Sequence, residues 1–303
     1  MSLRLAIIGK TGQLARALLR EGNELGHDII ALDRNALDLT SSRDLISSKI
    51  ESLPSDIDAL IIAAAYTAVD QAETDADTAY AVNATAPAAI ARACAKHNIP
   101  LIHISTDYVF AGDGHQPYQP DDDTDPLGIY GASKLDGELA ILESGARALI
   151  LRTSWVFDGS GKNFLTTMLR LSETRDALRV VDDQIGRPTY AGHLALATLK
   201  AAEILANEPD CETGIYHVTG GGEPISWADF AVSIFQTVDK NVYVERIPTS
   251  EYPTPAERPS YSVLNTDSFE RNFHHPLPDW QNGLAAALQE RCLLYTSPSP
   301  RDS

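Results

Sequence analysis

The sequence predicts an α/β protein in which helices cover both faces of one twisted parallel sheet. Five short apolar runs, at residues 5–8, 28–32, 59–65, 100–104 and 147–151, each have the length of a buried strand. Segments with helical spacing of apolar residues separate these runs, and the first run leads through a glycine turn directly into a helix. These observations define a Rossmann-type, doubly wound parallel sheet, with a smaller C-terminal lobe where the alternation loosens.

The composition limits the classes of function. The chain has 303 residues, of which 44% are hydrophobic, and a formal net charge of −18, which argues against nucleic acid or an anionic membrane as a partner. No apolar stretch reaches the roughly 18 residues that a membrane span needs. The three cysteines, Cys94, Cys211 and Cys292, show no metal-ligand spacing. This spacing gives no reason to expect a metal site. The N-terminus has no signal-peptide pattern, so we expect a cytoplasmic protein.

The glycine turn after the first strand, GKTGQLA, is typical of a dinucleotide site. Gly9 permits the tight turn, and Gly12 lets backbone N–H groups at the positive helix end approach a pyrophosphate. The spacing is GxxGxxA, and an ordinary turn between two elements is the alternative. Asp33 ends the second strand, where a carboxylate favours NAD, and the adjacent Arg34 can hold the 2′-phosphate of NADP. The sequence therefore predicts NADP(H) or NAD(H) and leaves the choice open.

The stretch GIYGASK, residues 128–134, carries the candidate chemistry. Tyr130 and Lys134 lie one turn apart on one face of a predicted helix. A phenol with a pKa of about 10 is a poor acid or base near neutral pH, and a neighbouring ammonium lowers that pKa. A solvated helix face is the alternative explanation. Thr106 follows the fourth strand at the sheet edge where such folds bind ligands, so its hydroxyl is a candidate to polarise a carbonyl, with a turn cap as its alternative.

Residues further along the chain indicate where a substrate binds. Trp155 lies among hydroxyls after the fifth strand, and its indole could stack on a base or a sugar, with the Asn163 amide at the rim. Arg258 is one of few cations in the acidic second half of the chain. It pairs either with an anionic substrate phosphate or with a structural carboxylate.

Nine stretches occur in order along residues 3–291: GKTGQLA, AAAYTAVDQAE, VNATAP, STDYVF, YGASK, RTSWVF, VVDDQIGRPT, IYHVTG and YPTPAERPSYSVLNT. They resemble the dTDP-4-dehydrorhamnose reductase family of extended short-chain dehydrogenases/reductases. The resemblance implies NAD(P)H-dependent reduction of dTDP-4-dehydro-L-rhamnose to dTDP-L-rhamnose, a precursor of cell-surface polysaccharide. Two alternatives stay open: a reductase of another nucleotide-linked 4-ketosugar, and a non-catalytic NADP-binding regulatory subunit.

The resemblance also implies residue roles. Tyr130 protonates the C4 alkoxide, Lys134 holds the nicotinamide ribose and lowers the pKa of Tyr130, and Thr106 polarises the carbonyl. With the turn residues argued above, the expected cofactor contacts are Gly9, Gly12, Gln13, Leu14, Asp33, Arg34, Asp38, Leu39, Ala65, Tyr66, Thr67, Tyr130 and Lys134. The expected contacts with the dTDP-sugar are Thr106, Asp107, Trp155, Asn163, Gln184 and Arg258.

The same resemblance bears on domains and assembly. Residues 1–151 are expected to form the NAD(P)-binding Rossmann domain, and 152–291 mainly the substrate-binding lobe, with some segments returning to the first domain. Some family members dimerise through magnesium held by glutamates. The matching positions here are Ala17 and Gly192, so we expect a monomer, with a homodimer as the alternative. Residues 292–303 (CLLYTSPSPRDS) resemble a translated sequencing adapter and are predicted to be a non-native tail, a natural Ser/Pro-rich tail being the alternative.

Overall fold

The computed structural model describes residues 2–296, and strands and helices alternate along its first half. The strands are β1 (Arg4–Ile8), β2 (Asp28–Leu32), β3 (Ala59–Ile62), β4 (Leu101–Thr106), β5 (Ala148–Thr153), β6 (Val156–Phe157), β7 (Ala177–Val181), β8 (Ile185–Gly186), β9 (Thr189–Tyr190), β10 (Gly214–His217), β11 (Ile225–Ser226) and β12 (Tyr243–Ile247). The helices are α1 (Gln13–Glu24), α2 (Arg43–Glu51), α3 (Val69–Ala72), α4 (Ala76–Tyr80), α5 (Ala86–His97), α6 (Ile129–Leu142), α7 (Phe164–Leu171), α8 (Ala191–Asn207), α9 (Trp227–Thr237), α10 (Asp267–Phe273) and α11 (Trp280–Thr296). None of these helices has the length and apolar character needed to cross a bilayer.

Six parallel strands form the central sheet in the order β10-β5-β4-β3-β1-β2. From β1 the chain first moves outward to β2 and then crosses back to β3, on the other side of β1. The strand order therefore reverses between β1 and β3, and a crevice opens at the carboxyl ends of the strands at such a point. The prediction of a Rossmann-type, doubly wound sheet is confirmed.

Alternating side chains of the strands build two hydrophobic layers. Leu5 and Ile7 of β1 pack into the layer that contains α1 and α8, whereas Ala6 and Ile8 pack into the layer that contains α2 and α5. Each fully buried aliphatic side chain of this kind stabilises the fold by about 1.5–3 kcal/mol. The near-continuous apolar runs in the sequence are the consequence of burial on both faces.

The C-terminal half contributes to both parts of the molecule. The strand β10 lies in the large sheet and the helix α8 in the layer that covers it, although both follow residue 151. The helices α7, α9 and α11 pack around an aromatic cluster that includes Phe157, Phe230 and Trp280, flanked by the small parallel pair of β7 and β12. The helix α10 packs instead in the layer that contains α1 and α8.

Three predicted elements differ from the observed ones. The strand predicted at 59–65 ends at Ile62, and the following alanines leave the sheet. The apolar spacing at 77–98 predicts one long helix, but a π-helical turn, Ala81–Thr85, interrupts it, where the buried Asn83 side chain bonds the backbone of Tyr66. Residues 180–184 also have the character of a strand leading into a turn, but the strand lies at Ala177–Val181, where every second residue is buried.

The last described helix extends into the predicted tail. Trp280, Leu284 and Ala287 are buried on α11, and Glu290 pairs with Arg20 at 2.7 Å. Leu293 is 61% exposed. The helix continues to Thr296, and residues 297–303 of the predicted tail lie outside the described residues.

Truncation after Arg291 tests the predicted tail. We expect the melting temperature to change by less than about 2 °C, because exposed positions typically alter stability by about 0.5 kcal/mol or less. As a control, truncation after Asp279 removes the buried residues of α11 and should lower the melting temperature by more than about 10 °C. A drop of more than about 5 °C for the shorter truncation would contradict the prediction.

Candidate active site

A cavity of about 1120 Å³ opens at the carboxyl edge of the central sheet. Its walls come from the β1–α1 turn, the end of β2, residues 63–67, the end of β4, the first turns of α6 and residues 153–156. Every residue predicted to contact the cofactor lines this cavity, as do Thr106, Asp107 and Trp155. The fold therefore brings together sequence segments that are far apart along the chain.

The glycine turn has the conformation that the sequence predicts. Gly9 adopts φ +119°, and an added Cβ would lie 3.3 Å from the backbone nitrogen of Ala64, so only glycine is unstrained here. Gly12 is the N-cap of α1 and no side chain caps that helix. The first N–H groups of α1 are thus available to an anion at the cavity wall, as a dinucleotide pyrophosphate requires.

The end of β2 forms the adenosine side of the cavity. The Asp33 carboxylate accepts hydrogen bonds from the backbone N–H groups of Asn35 and Ala36, both at 3.0 Å. The Arg34 side chain is 81% exposed and lies 3.5 Å from an Asp38 carboxylate oxygen, a long contact. Hydrogen bonds from Thr40 lower the pKa of Asp38. The Asp33 carboxylate and the exposed Arg34 guanidinium therefore lie next to each other at the cavity rim. This arrangement suits either NAD or NADP.

The helix α6 docks directly on the end of β4. It begins at Ile129, after the extended Gly128. An added Cβ on Gly131 would lie only 2.1 Å from the carbonyl oxygen of Tyr108, so glycine at this position permits the close approach. The Tyr130 ring meets the Tyr108 ring edge-on, with centroids 5.4 Å apart. This contact holds the Tyr130 phenol over the strand end.

The Lys134 ammonium is buried against β4. Its Nζ donates to the carbonyl of Ile104 at 2.7 Å and lies 2.9 Å from Nε2 of His103, and the residue is 1% exposed. Burial lowers the pKa of Lys134 to about 8, while the charge of Glu138 opposes this shift. The ammonium stays the major form at neutral pH.

Tyr130 differs from the expectation drawn from the resemblance. Burial raises the pKa of Tyr130 to about 12, a hydrogen bond with Thr106 opposes this, and the charge of Asp107 adds to it. The prediction that Lys134 lowers this pKa is wrong for the observed geometry, because the ammonium hydrogens are directed to His103 and to the Ile104 carbonyl. Tyr130 is therefore a protonated phenol near neutral pH, as an unshifted tyrosine also is, and burial makes it a weaker acid.

Thr106 caps a turn and also lines the cavity, while its role in polarising a carbonyl stays a prediction. Its hydroxyl accepts a hydrogen bond from Tyr108 N–H at 3.2 Å, which caps the short 3-10 turn, and it also lines the cavity. It donates to Asp107 at 2.9 Å. Asp107 is 2% exposed, and its second carboxylate oxygen has no partner among the described residues. Burial raises the pKa of Asp107 to about 7, against the effect of hydrogen bonds from Thr106 and Ser262.

Trp155 is held rigidly at the opposite wall. Its indole stacks on that of Trp227, with centroids 3.5 Å apart and planes at 7°. An added Cβ on Gly186 would lie 2.5 Å from the indole, so this glycine leaves room for the ring. Trp155 adopts φ +49°, a left-handed conformation that costs a non-glycine residue about 1–3 kcal/mol and is common at functional sites.

Three predicted substrate contacts lie outside the cavity lining. Asn163 caps α7, and its amide nitrogen donates to Asp158. Gln184 donates to the Thr249 hydroxyl at 3.0 Å. Arg258 pairs with Asp70 at 2.8 Å, which is the structural alternative weighed for it. The structure does not bring these three residues together with the others, and their contact with substrate stays a prediction.

Several buried polar residues at the site escaped the sequence reasoning. Asn83 accepts from Tyr66 N–H at 2.9 Å and donates to Ser133 at 3.0 Å, which ties the end of β3 to α6. The Glu138 carboxylate receives two nitrogens of Arg152, the closest contact being 2.7 Å, and both side chains are at most 2% exposed. A polar residue within an alanine-rich helical stretch was the available signal for Asn83.

The positions that match the magnesium ligands of some relatives lie in the packed interface of α1 and α8. Ala17 and Gly192 are both buried there. Within residues 2–296, no group of three or more histidine, cysteine, aspartate or glutamate side chains is placed to hold a metal ion.

A phenol and an ammonium on one helix, opening with a threonine hydroxyl onto a cavity with a glycine turn at a helix N-terminus, define an NAD(P)-dependent oxidoreductase of the short-chain dehydrogenase/reductase type. The sequence model of the family described as RmlD substrate binding domain matches residues 3–292. The dTDP-4-dehydrorhamnose reductase of Shigella flexneri is 41% identical over 297 residues, covering 95% of this chain and 98% of that protein. The reductase of Sinorhizobium fredii is 42% identical over 284 residues, covering 92% and 94%.

Solved structures agree with the sequence relatives. The dTDP-4-dehydrorhamnose reductase of Bacillus anthracis, in complex with NADP, superposes with a TM-score of 0.87 at 36% identity, covering 96% of this chain and all of that one (100%). The Clostridium acetobutylicum reductase superposes with a TM-score of 0.88 at 34% identity, covering 95% and 99%. The chain belongs to the dTDP-4-dehydrorhamnose reductase family, as its motifs predicted.

Asp107 makes stability depend on pH in a measurable direction. Its pKa rises from 3.8 to about 7 on folding, so between these values the folded protein holds a proton that the unfolded chain has released. The stability from this group is therefore lost as pH rises through that window. We expect Asp107→Asn, in urea titrations, to gain about 2 kcal/mol relative to the wild type between about pH 5 and about pH 8.

The exposed loop residue Asp123 offers a matched control. Asp123→Asn should leave the pH dependence of the unfolding free energy as it is in the wild type. A difference between Asp107→Asn and wild type that stays constant with pH would show that the Asp107 carboxyl titrates normally.

Proposed function

We propose that this chain reduces the C4 keto group of dTDP-4-dehydro-L-rhamnose with NADPH or NADH and forms dTDP-L-rhamnose, a precursor of cell-surface polysaccharide. The observation that carries this proposal is that Tyr130, Lys134 and Thr106 line one cavity together with the glycine turn. The named relatives are dTDP-4-dehydrorhamnose reductases, and this chain is similar to them along nearly their whole length, which supports the same substrate.

The residues of the cavity fit a nicotinamide dinucleotide. The glycine turn and the uncapped start of α1, with Gln13 and Leu14, would hold the pyrophosphate. Asp33, Arg34, Asp38 and Leu39 would enclose the adenosine, and Ala65, Tyr66 and Thr67 would lie along the ribose side. When bound, the cofactor supplies the hydride that reduces C4.

The side chains of this protein supply the rest of the chemistry. As the carbonyl π bond breaks and charge develops on the C4 oxygen, Tyr130 transfers its phenolic proton to that oxygen, which forms the O–H bond of the alcohol. Thr106 turns its single O–H from Asp107 to the same oxygen and stabilises the developing charge. Lys134 remains an ammonium and holds the nicotinamide ribose.

The substrate would lie between Tyr130 and Trp155. The rigid Trp155 indole offers a flat apolar face to a sugar or base, and the unpartnered oxygen of Asp107 offers a hydrogen-bonding group to a sugar hydroxyl. The protein has a net charge of −18, so local cations must face any phosphates in the cavity. Lys10 and Arg34 line the cofactor side, where they would meet the phosphates of the dinucleotide. We propose that Arg258, Asn163 and Gln184 act at the edge of this site.

We also propose that the protein is a monomer, because the side chains of Ala17 and Gly192 cannot ligate a metal.

Turnover of different ketosugars tests the substrate. We expect reduction of the dTDP-linked 4-keto-6-deoxy sugar, followed by NADPH absorbance, to exceed that of UDP- and GDP-linked 4-ketosugars by at least about 100-fold in kcat/KM, since the named relatives are reductases of a dTDP-sugar. Equal turnover of all three would favour a general ketosugar reductase. NADPH binding without any turnover would favour a non-catalytic binding subunit.

Replacement of the phenol tests the mechanism. In Tyr130→Phe we expect kcat to fall by about 100-fold or more, because the proton donor is lost, while the dissociation constant for NADPH stays within about threefold. Tyr243→Phe, at a phenol exposed on β12, is the matched control and should keep full turnover. Wild-type turnover in Tyr130→Phe would contradict the proposed role.

A further inference from the structure

The surroundings of Lys134 include a histidine that the proposed mechanism does not use. His103 lies on β4 and is 1% exposed, and its Nε2 lies 2.9 Å from the Lys134 ammonium. The only other described acceptor for that ammonium is the carbonyl of Ile104, at 2.7 Å. Two of the three ammonium hydrogens are therefore held by β4. The third points away from both acceptors.

The imidazole of His103 is neutral. Burial, and secondly the charge of Lys134, lower the pKa of His103 well below its ordinary value of 6.5. A neutral imidazole accepts through its unprotonated nitrogen only, so a hydrogen bond from the ammonium to Nε2 places the ring proton on Nδ1. His103 thus acts as an acceptor for Lys134 and adds no competing positive charge.

The other charged groups around Lys134 do not replace this acceptor. Glu138 lies one turn further along α6, but its carboxylate is taken up by two nitrogens of Arg152 from β5. Tyr130 lies one turn earlier and carries its own proton at neutral pH because its pKa is raised. Burial disfavours the ammonium and the charge of Glu138 partly opposes this effect, and the hydrogen bonds to His103 and Ile104 favour the charged form further.

We propose that His103 is a positioning residue, which orients the Lys134 ammonium and keeps it protonated in the buried site. This inference deepens the proposed function, since it rests on Lys134 acting as an ammonium during the reduction. With Ile104 it anchors the amine on β4, so that the remaining N–H is directed toward the cavity. His103 itself contacts neither the substrate nor the reacting atoms.

Variants with and without an acceptor at the Nε2 position separate this role from a packing role. The side-chain oxygen of His103→Gln reaches the place of Nε2, that of His103→Asn is too short, and His103→Leu has no acceptor at all. The comparison of Gln with Asn needs no apolar substitution. It keeps the test decisive even if the Leu variant does not fold.

The first readout is the pKa of Lys134 in the protein without cofactor, measured by NMR of ¹³C-labelled lysine side chains and assigned by the loss of the signal in Lys134→Met. We expect the wild type to titrate at about 8. Loss of a hydrogen bond to the charged form should lower the midpoint by about one pH unit in the Leu and Asn variants, and the Gln variant should stay near wild type. Equal midpoints in all variants would overturn the proposal.

The second readout is the pH dependence of kcat. Activity that needs the ammonium is lost as pH rises through the pKa of Lys134, so the alkaline limb should move to lower pH by about one unit in Leu and Asn, with kcat about tenfold lower. The Gln variant should restore both within about threefold. A uniform loss of kcat with an unmoved limb would assign His103 a packing role only. If the wild type reduces no ketosugar, the proposed function fails, whereas the NMR titration still decides the role of His103.

Discussion

The docking of α6 against the end of β4 is the interaction on which the site depends. Gly131 allows the helix to touch the Tyr108 carbonyl in the turn that follows β4, and Lys134 buries its ammonium on β4 itself. The ion pair of Glu138 with Arg152 joins α6 to β5 in the interior. A buried pair of this kind adds little net stability, but removal of one partner costs about 3–5 kcal/mol, so it fixes the position of the helix. These three contacts of α6 determine the position of Tyr130.

The sheet determines what α6 can face. Because the strand order reverses between β1 and β3, the start of α1 and the first turns of α6 open on one crevice. The end of the crevice with the glycine turn suits phosphates. At the other end Thr106 and Asp107 are buried polar groups, and the half-buried Trp155 indole stacks on Trp227. The same low-solvent environment raises the pKa of Tyr130 and lowers that of Lys134. Burial therefore keeps Tyr130 protonated near neutral pH and makes Lys134 a cation that needs hydrogen-bond acceptors.

Much of this could be predicted from the sequence, because period and spacing report local structure. The strand at Asp28–Leu32 has the predicted bounds, and the glycine turn and the helix with Tyr130 and Lys134 lie where the pattern indicates. The role of Asn163 as a helix cap and the π-helical turn at Asn83 depend on partners distant in the chain, which spacing does not reveal. The direction of the Tyr130 pKa shift was predicted wrongly for the same reason, since it follows from burial and from where the Lys134 hydrogens point.

The central claim is that one oxygen of the substrate meets both the Tyr130 phenol and the Thr106 hydroxyl. A crystal structure of the protein with NADP⁺ and dTDP-L-rhamnose measures this most directly. The account predicts that the C4 hydroxyl oxygen lies within about 3.2 Å of the Tyr130 hydroxyl oxygen and of Thr106 Oγ1. A bound product whose C4 oxygen lies more than about 5 Å from either group would contradict it.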